Sequence, residues 1–193
     1  MAINADSPKP SSRPREPRPA LIFLIGSRGS GKTTVARGIA QRLGWTWLDA
    51  DEVLEKGTGK SIREIFATEG EVGFRRRESA VLAGLCKLQR QVIATGGGVV
   101  LRPENRALLT HYGWCVWLTA DVETLWQRLR DDPSTPERRP KLTVGGIEEI
   151  AEMLHKREAF YVQCANLTVS TSGRAPDGIV AEILERWALV PRT

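Results

Sequence analysis

Apolar positions in this chain fall into short continuous runs separated by longer stretches with helical spacing. That is the pattern of a parallel sheet covered by helices on both faces. The first run, Leu21 to Ile25, breaks into glycines and resumes as a helix that Gly44 closes. Further strands read at Trp45 to Asp49, at Gln91 to Thr95 running into Gly96, Gly97 and Gly98, at Trp114 to Leu118, and at Asn166 to Ser170. Helical spacing fills about 52 to 90, carried by Ile62, Ile65, Phe66, Phe74, Val81, Leu82, Leu85 and Leu88 and punctuated by residues 57–61 and Gly70. Helices then read at 103–111, 121–130, 146–162 and 177–187. The expected fold is α/β, a three-layer sandwich with a five-stranded parallel sheet and helices on both faces. No internal repeat is visible.

Two segments stand outside this alternation. Residues 1–19 hold 5 of the 11 prolines and no apolar period, so they read as a disordered tail that cannot offset its ordering entropy with buried surface. Residues 130–142 carry three prolines and dense charge, and read as a mobile surface loop, a lid at about 131–145. One domain is expected over 20–188, with a short tail at 189–193.

Composition narrows the class. A chain of 193 residues supports one sizeable core, and no apolar run approaches the length of a membrane span. The tail carries a net charge of +2, leaving +3 of the total +5 for the folded part. That balance suits a protein handling small anions and is too diffuse for a nucleic-acid surface. No apolar segment follows the basic residues at the start, so no secretory signal is expected. The three cysteines, Cys86, Cys115 and Cys164, are odd in number and widely spaced, as for free thiols in a reducing, cytoplasmic setting. Six tryptophans on strands and apolar helix faces read as core.

Chemistry enters at the glycine break. Gly26, Gly31, Lys32 and Thr33 fit G-x-x-x-x-G-K-[ST] between a buried strand and a helix, the setting of a P-loop. Its backbone N–H groups wrap a phosphate, the helix start presents its positive dipole end to the same anion, Lys32 reaches the β- and γ-phosphates, and Thr33 offers a hydroxyl to Mg²⁺. The nucleotide is thus expected against Gly29, Ser30, Gly31, Lys32, Thr33 and Thr34, with ATP as co-substrate. Phosphoryl transfer also needs a carboxylate on the metal side, a group that aligns or deprotonates the acceptor, and cations for the moving charge. Asp49 and Asp51, at the end of the second strand, supply the first two. No apolar strand ends in a Walker B aspartate, so Asp49 is the available metal-side carboxylate. The P-loop, the Asp pair and the triple glycine all lie at carboxyl ends of strands, where ligands of open α/β sheets bind.

Several spaced motifs together resemble the shikimate kinase family over about residues 20 to 188. They are LIGSRGSGKTT, LDADEVLEKGTGKSIREIFATEGEVGFRRRE, VIATGGGVV, ERRPKL and REAFY. The resemblance implies a P-loop kinase and roles for individual residues. Asp49 orients Mg²⁺ waters, with Thr33 on the same ion, and Asp51 binds the acceptor hydroxyl as the base. Arg75 and Arg157 grip the shikimate carboxylate, and Gly97 packs against the ring. Lys32 serves the phosphates, Arg139 swings over them from the lid, Arg174 touches adenine, and Arg128 or Arg130 covers its other face. Glu78 fixes an arginine, while Arg76 and Arg77 are solvated or in a structural ion pair. The chain departs from the family in Lys141, where R-P-L-L is common, and in Ala159, where proline is usual. The implied activity is ATP-dependent phosphorylation of the 3-hydroxyl of shikimate by a monomer without nucleic-acid or membrane partners. A kinase for another small acid such as gluconate, or a non-catalytic ligand-sensing module, are the alternatives; a sensing module could dispense with Lys32, Thr33, Asp49 or Asp51.

Overall fold

Strand β1 (Leu21–Ile25) is buried at every position because it lies at the centre of the sheet, between β3 (Gln91–Ala94) and β4 (Trp114–Thr119). This is a computed structural model describing residues 20–132 and 146–190. The tail at 1–19 and the lid residues Arg139 and Lys141 lie outside the described residues. With β2 (Thr46–Asp49) and β5 (Leu167–Ser170) at the edges, the strand order is β2-β3-β1-β4-β5 and every pairing is parallel.

The period of two along β1 divides the core. Ile22 and Leu24 face a layer built by α1 (Lys32–Leu43) and α7 (Pro176–Leu189), with Ile39, Ile183 and Trp187 among its buried members. Leu21, Phe23 and Ile25 face the opposite layer, with Leu82 and Leu85 of α3 (Ile62–Leu85), Leu109 of α4 (Pro103–Tyr112) and Tyr161 of α6 (Gly146–Cys164). The expected three-layer sandwich is therefore present. The tryptophans belong to its packing: Trp114, Trp117 and Trp187 are buried, and Trp45 meets Trp187 edge-on at 5.9 Å. All three cysteines are buried free thiols. Burial pushes Cys86 up to about 11 and raises Cys115 and Cys164 as well, so none is a ready nucleophile.

The long helical region read at 52 to 90 resolves into two helices, and the local chemistry gives the reason. Helix α2 (Ala50–Thr58) starts where Asp49 caps it and ends at Gly59 in the left-handed region. Helix α3 then starts at a capping box: Ser61 Oγ accepts from Glu64 N at 3.2 Å, and Glu64 Oε2 accepts from Ser61 N at 2.7 Å. Within α3 the backbone departs from helical geometry at Gly70, and Glu69 and Arg77 pair across the break at 2.8 and 2.9 Å. The helix stops at Leu85, five residues short of the reading. Other ends agree to within two residues, α7 running through Leu189 into the stretch read as a tail.

Candidate active site

The carboxyl end of β1 leads into the P-loop, whose shape depends on residues without side chains. Gly29 and Gly31 hold φ values of 81° and 86°, which bulkier residues avoid, and Gly31 is the last residue before α1. Ser30 N donates to Ser27 O at 3.2 Å, closing the loop. Lys32 is buried, and its ammonium donates to the carbonyls of Gly26 at 2.9 Å and Ser27 at 2.7 Å. Burial lowers its pKa to about 8, Asp51 and Asp49 oppose the fall, and Arg28 and Arg157 add to it. Thr34 points outward on the exposed side of α1.

Next to this loop stand the two aspartates of the β2 end. Thr33 Oγ1 donates to Asp49 Oδ2 at 2.9 Å, while Asp49 Oδ1 accepts from Asp51 N at 3.0 Å. Asp49 thus joins the P-loop helix to α2 and stands on the side of the cleft that carries Thr33. The residues read from sequence as metal-side and acceptor-side, Asp49 and Asp51, line the same cleft as Lys32, Thr33, Gly97 and Arg157.

The triple glycine after β3 floors the part of the cleft read from sequence as the acceptor side, with Gly97 in the cleft lining, and each glycine is crowded by a different functional group. A methyl group on Gly96 would lie 2.8 Å from Glu78 Oε1 and 2.9 Å from Asp51 Oδ1. On Gly97 it would approach Gly26 O at 3.3 Å and Arg157 Nη1 at 3.7 Å. On Gly98 it would meet the Arg75 guanidinium at 2.3 to 2.5 Å, inside any tolerable contact. Glycine is required where side chains press this closely on backbone.

Arg75 and Arg157, read as a carboxylate-binding pair, are both brought to this floor from different helices. Arg157 Nη1 donates to Gly97 O at 3.4 Å, and Tyr161, one helical turn later, donates its hydroxyl to the same oxygen. Tyr161 is buried against Trp117, ring centroids 5.5 Å apart, and burial raises its pKa. Arg75 is buried behind Gly98 and does not line the cleft itself. It spends three of its five N–H donors on Glu78 at 2.8 Å and Glu71 at 3.3 and 3.2 Å. Glu78 is accordingly a partner that fixes an arginine, and Arg77 sits in an ion pair with Glu69, as expected.

The adenine-side candidates are placed apart from this floor. Arg174 donates to Ser170 O at 3.1 Å and pairs with Glu182 at 2.7 Å. Helix α5 (Val122–Asp131) carries both Arg128 and Arg130, but they differ. Arg130 is exposed and pairs with Asp131, whereas Arg128 is held against the P-loop and the end of β5. Gly98, Tyr161 and that role of Arg128 were missed by the sequence reading. The triple glycine and the R-x-x-x-Y spacing signalled the first two; nothing local signalled the third.

Known proteins match most of this chain. The family model described as shikimate kinase matches residues 28–188. A shikimate kinase of Rhodopirellula baltica is 44% identical over 171 residues, spanning 88% of this chain and 91% of the relative. One of Symbiobacterium thermophilum is 44% identical over 169 residues, spanning 86% and 94%. Among solved structures, a shikimate kinase from Acinetobacter baumannii in complex with shikimate superposes with a TM-score of 0.81 at 39% identity, covering 86% of this chain and 92% of that one.

Proposed function

The chain belongs to the shikimate kinase family, and from that premise we propose that it transfers the γ-phosphoryl group of ATP to the 3-hydroxyl of shikimate, yielding shikimate 3-phosphate. One observation carries the reading beyond a generic P-loop kinase: three consecutive glycines each pack against a different functional group, Gly96 against Asp51, Gly97 against Arg157, and Gly98 against Arg75, which lies behind it.

The residues divide the work. Gly29, Ser30, Gly31, Lys32, Thr33 and, through its backbone N–H alone, Thr34 bind the triphosphate, Lys32 moving from the carbonyls of Gly26 and Ser27 to the phosphates. Asp51 takes the acceptor's hydroxyl proton or aligns it for in-line attack. Arg157 and the two donors that Arg75 still has to give receive the acceptor carboxylate, since a planar fork pairs bidentately with an acid. Gly97 lets the ring lie against backbone. Arg139 belongs to the lid and closes over the phosphates, and Arg174, with Arg128 at the other face, borders the adenine. The donor set fits Mg²⁺: Thr33 and Asp49 already share a hydrogen bond and offer only oxygen, and Mg²⁺ is held by one or two carboxylates together with nucleotide phosphates. Thr33 and, through water, Asp49 would hold the ion, which when bound neutralises charge on the phosphates.

Among the described residues no helix is long and apolar enough to cross a membrane. A cytoplasmic monomer is the expected state, and light scattering would report the mass. A gluconate-type acceptor is not favoured by the family match, and a sensing module has no use for Lys32, Thr33, Asp49 and Asp51 gathered in one cleft.

Titration calorimetry with protein variant and ligand carboxylate as the two arms of a cycle tests the acceptor assignment. Arg75→Ala and Arg157→Ala should each weaken shikimate binding by about 2 to 5 kcal/mol, and weaken a neutral-carboxylate analogue little further, while ATP affinity holds. Additive losses without coupling would mean that neither arginine reads the acid group.

A further inference from the structure

Arg128 has a role that neither the P-loop motif nor the acceptor site assigns. From α5 its guanidinium reaches two segments at once. Nη1 donates to Gly29 O at 3.1 Å and to Thr171 Oγ1 at 3.0 Å, and Nη2 donates to Thr171 O at 2.9 Å. Thr171 is buried directly after β5, and its hydroxyl donates on to Thr119 O at 3.0 Å, at the end of β4. One side chain therefore ties the P-loop to the ends of two strands, and to the segment after β5 that carries Arg174.

The bond to Gly29 O matters because of what that peptide does. Its carbonyl side faces Arg128, and its N–H side is Ser30 N, which closes the loop on Ser27 O. At Gly29, with φ 81° and no side chain, little in the local chain resists rotation of this peptide. Helix α5 backs the same residue: a methyl group on Gly29 would lie 3.3 Å from Leu125 O and 3.4 Å from Leu129 Cγ. Packing thus sets where the loop lies, and the hydrogen bonds at the two ends of the peptide, from Arg128 to its carbonyl and from its N–H to Ser27 O, oppose its rotation.

We propose that Arg128 is a positioning residue that locks the Gly29–Ser30 peptide of the phosphate-binding loop and joins that loop to the end of β5, so that the triphosphate and base sides of the nucleotide site hold one fixed relation. Three of its five in-plane donors are used by the protein, so this role is separate from any contact of its flat face with adenine. The inference rests on the nucleotide-site part of the proposed function and not on the acceptor.

Inorganic tripolyphosphate separates the two roles, since it engages the P-loop and has no base. Binding of tripolyphosphate, ATP and shikimate to wild type, Arg128→Ala and Arg128→Lys would be measured by calorimetry beside thermal melting. The alanine variant should lose affinity for tripolyphosphate and ATP alike, by about tenfold or more, with shikimate affinity within about twofold of wild type. The lysine variant, able to reach one acceptor, should recover part of the loss. Unchanged tripolyphosphate binding, with or without a loss for ATP, overturns the proposal, as does an equal loss for shikimate accompanied by a lowered melting temperature, which marks a merely structural residue. A wild type that binds tripolyphosphate but does not phosphorylate shikimate refutes the acceptor reading alone; one that binds neither tripolyphosphate nor ATP refutes both.

Discussion

Lys32 shows how much a single buried charge can govern. Its ammonium is desolvated and held by two carbonyls, and its pKa lies at about 8, below the ordinary lysine value. A lowered pKa means that the free protein loses this positive charge as pH rises through about 8, and only the charged form attracts phosphates. ATP affinity should accordingly fall by about tenfold between pH 7 and pH 9, with proton uptake on binding at the upper end. Lys32→Arg stays charged across that range and should bind without the step, whatever its absolute affinity. Calorimetry at both pH values decides it; a flat wild-type profile would mean that the ammonium is not the group the phosphates require. The identity of Lys32 was legible from its motif. Its depressed pKa was not, because it follows from burial and from Arg28 and Arg157 brought near by folding.

At the scale of elements, the proposed acceptor side depends on how α3 and the turn after β3 approach one another. Arg75 lies on α3 and Gly98 follows β3, and they meet closely enough that a methyl group on Gly98 would overlap the guanidinium. Gly98→Ala should displace Arg75 and loosen its bond to Glu78, a buried pair at 2.8 Å. We expect shikimate affinity to fall by about tenfold or more while ATP affinity is retained, with overpacking costing about 1 to 3 kcal/mol in stability. Binding and melting of the one variant check both effects, and a Gly98→Ala protein with normal shikimate affinity would remove Arg75 from the site. The five strands were legible because buried parallel strands are short apolar runs bounded by turn residues. The division of α2 from α3 had a signal that went unused, the Ser61-x-x-Glu64 capping box. The pairing of Gly98 with Arg75 and of Arg128 with Gly29 had none, since each joins residues whose separation in the chain says nothing about their separation in space.

Over the whole molecule, the sheet order puts the ends of β1, β2 and β3 side by side, and the P-loop, Asp49 with Asp51, and the glycine floor arrive together for that reason. Helix α6 brings Arg157 to the same place from the opposite end of the chain. In the proposed function this cleft couples nucleotide turnover to one acid acceptor. Incubation with Mg·ATP, with and without shikimate, followed by identification of the phosphorylated product by phosphorus NMR, tests it most directly. The expected result is ADP released in equal amount to shikimate 3-phosphate, with little turnover when shikimate is omitted or replaced by gluconate. ATP turnover indifferent to shikimate, or phosphate carried by gluconate instead, would contradict it.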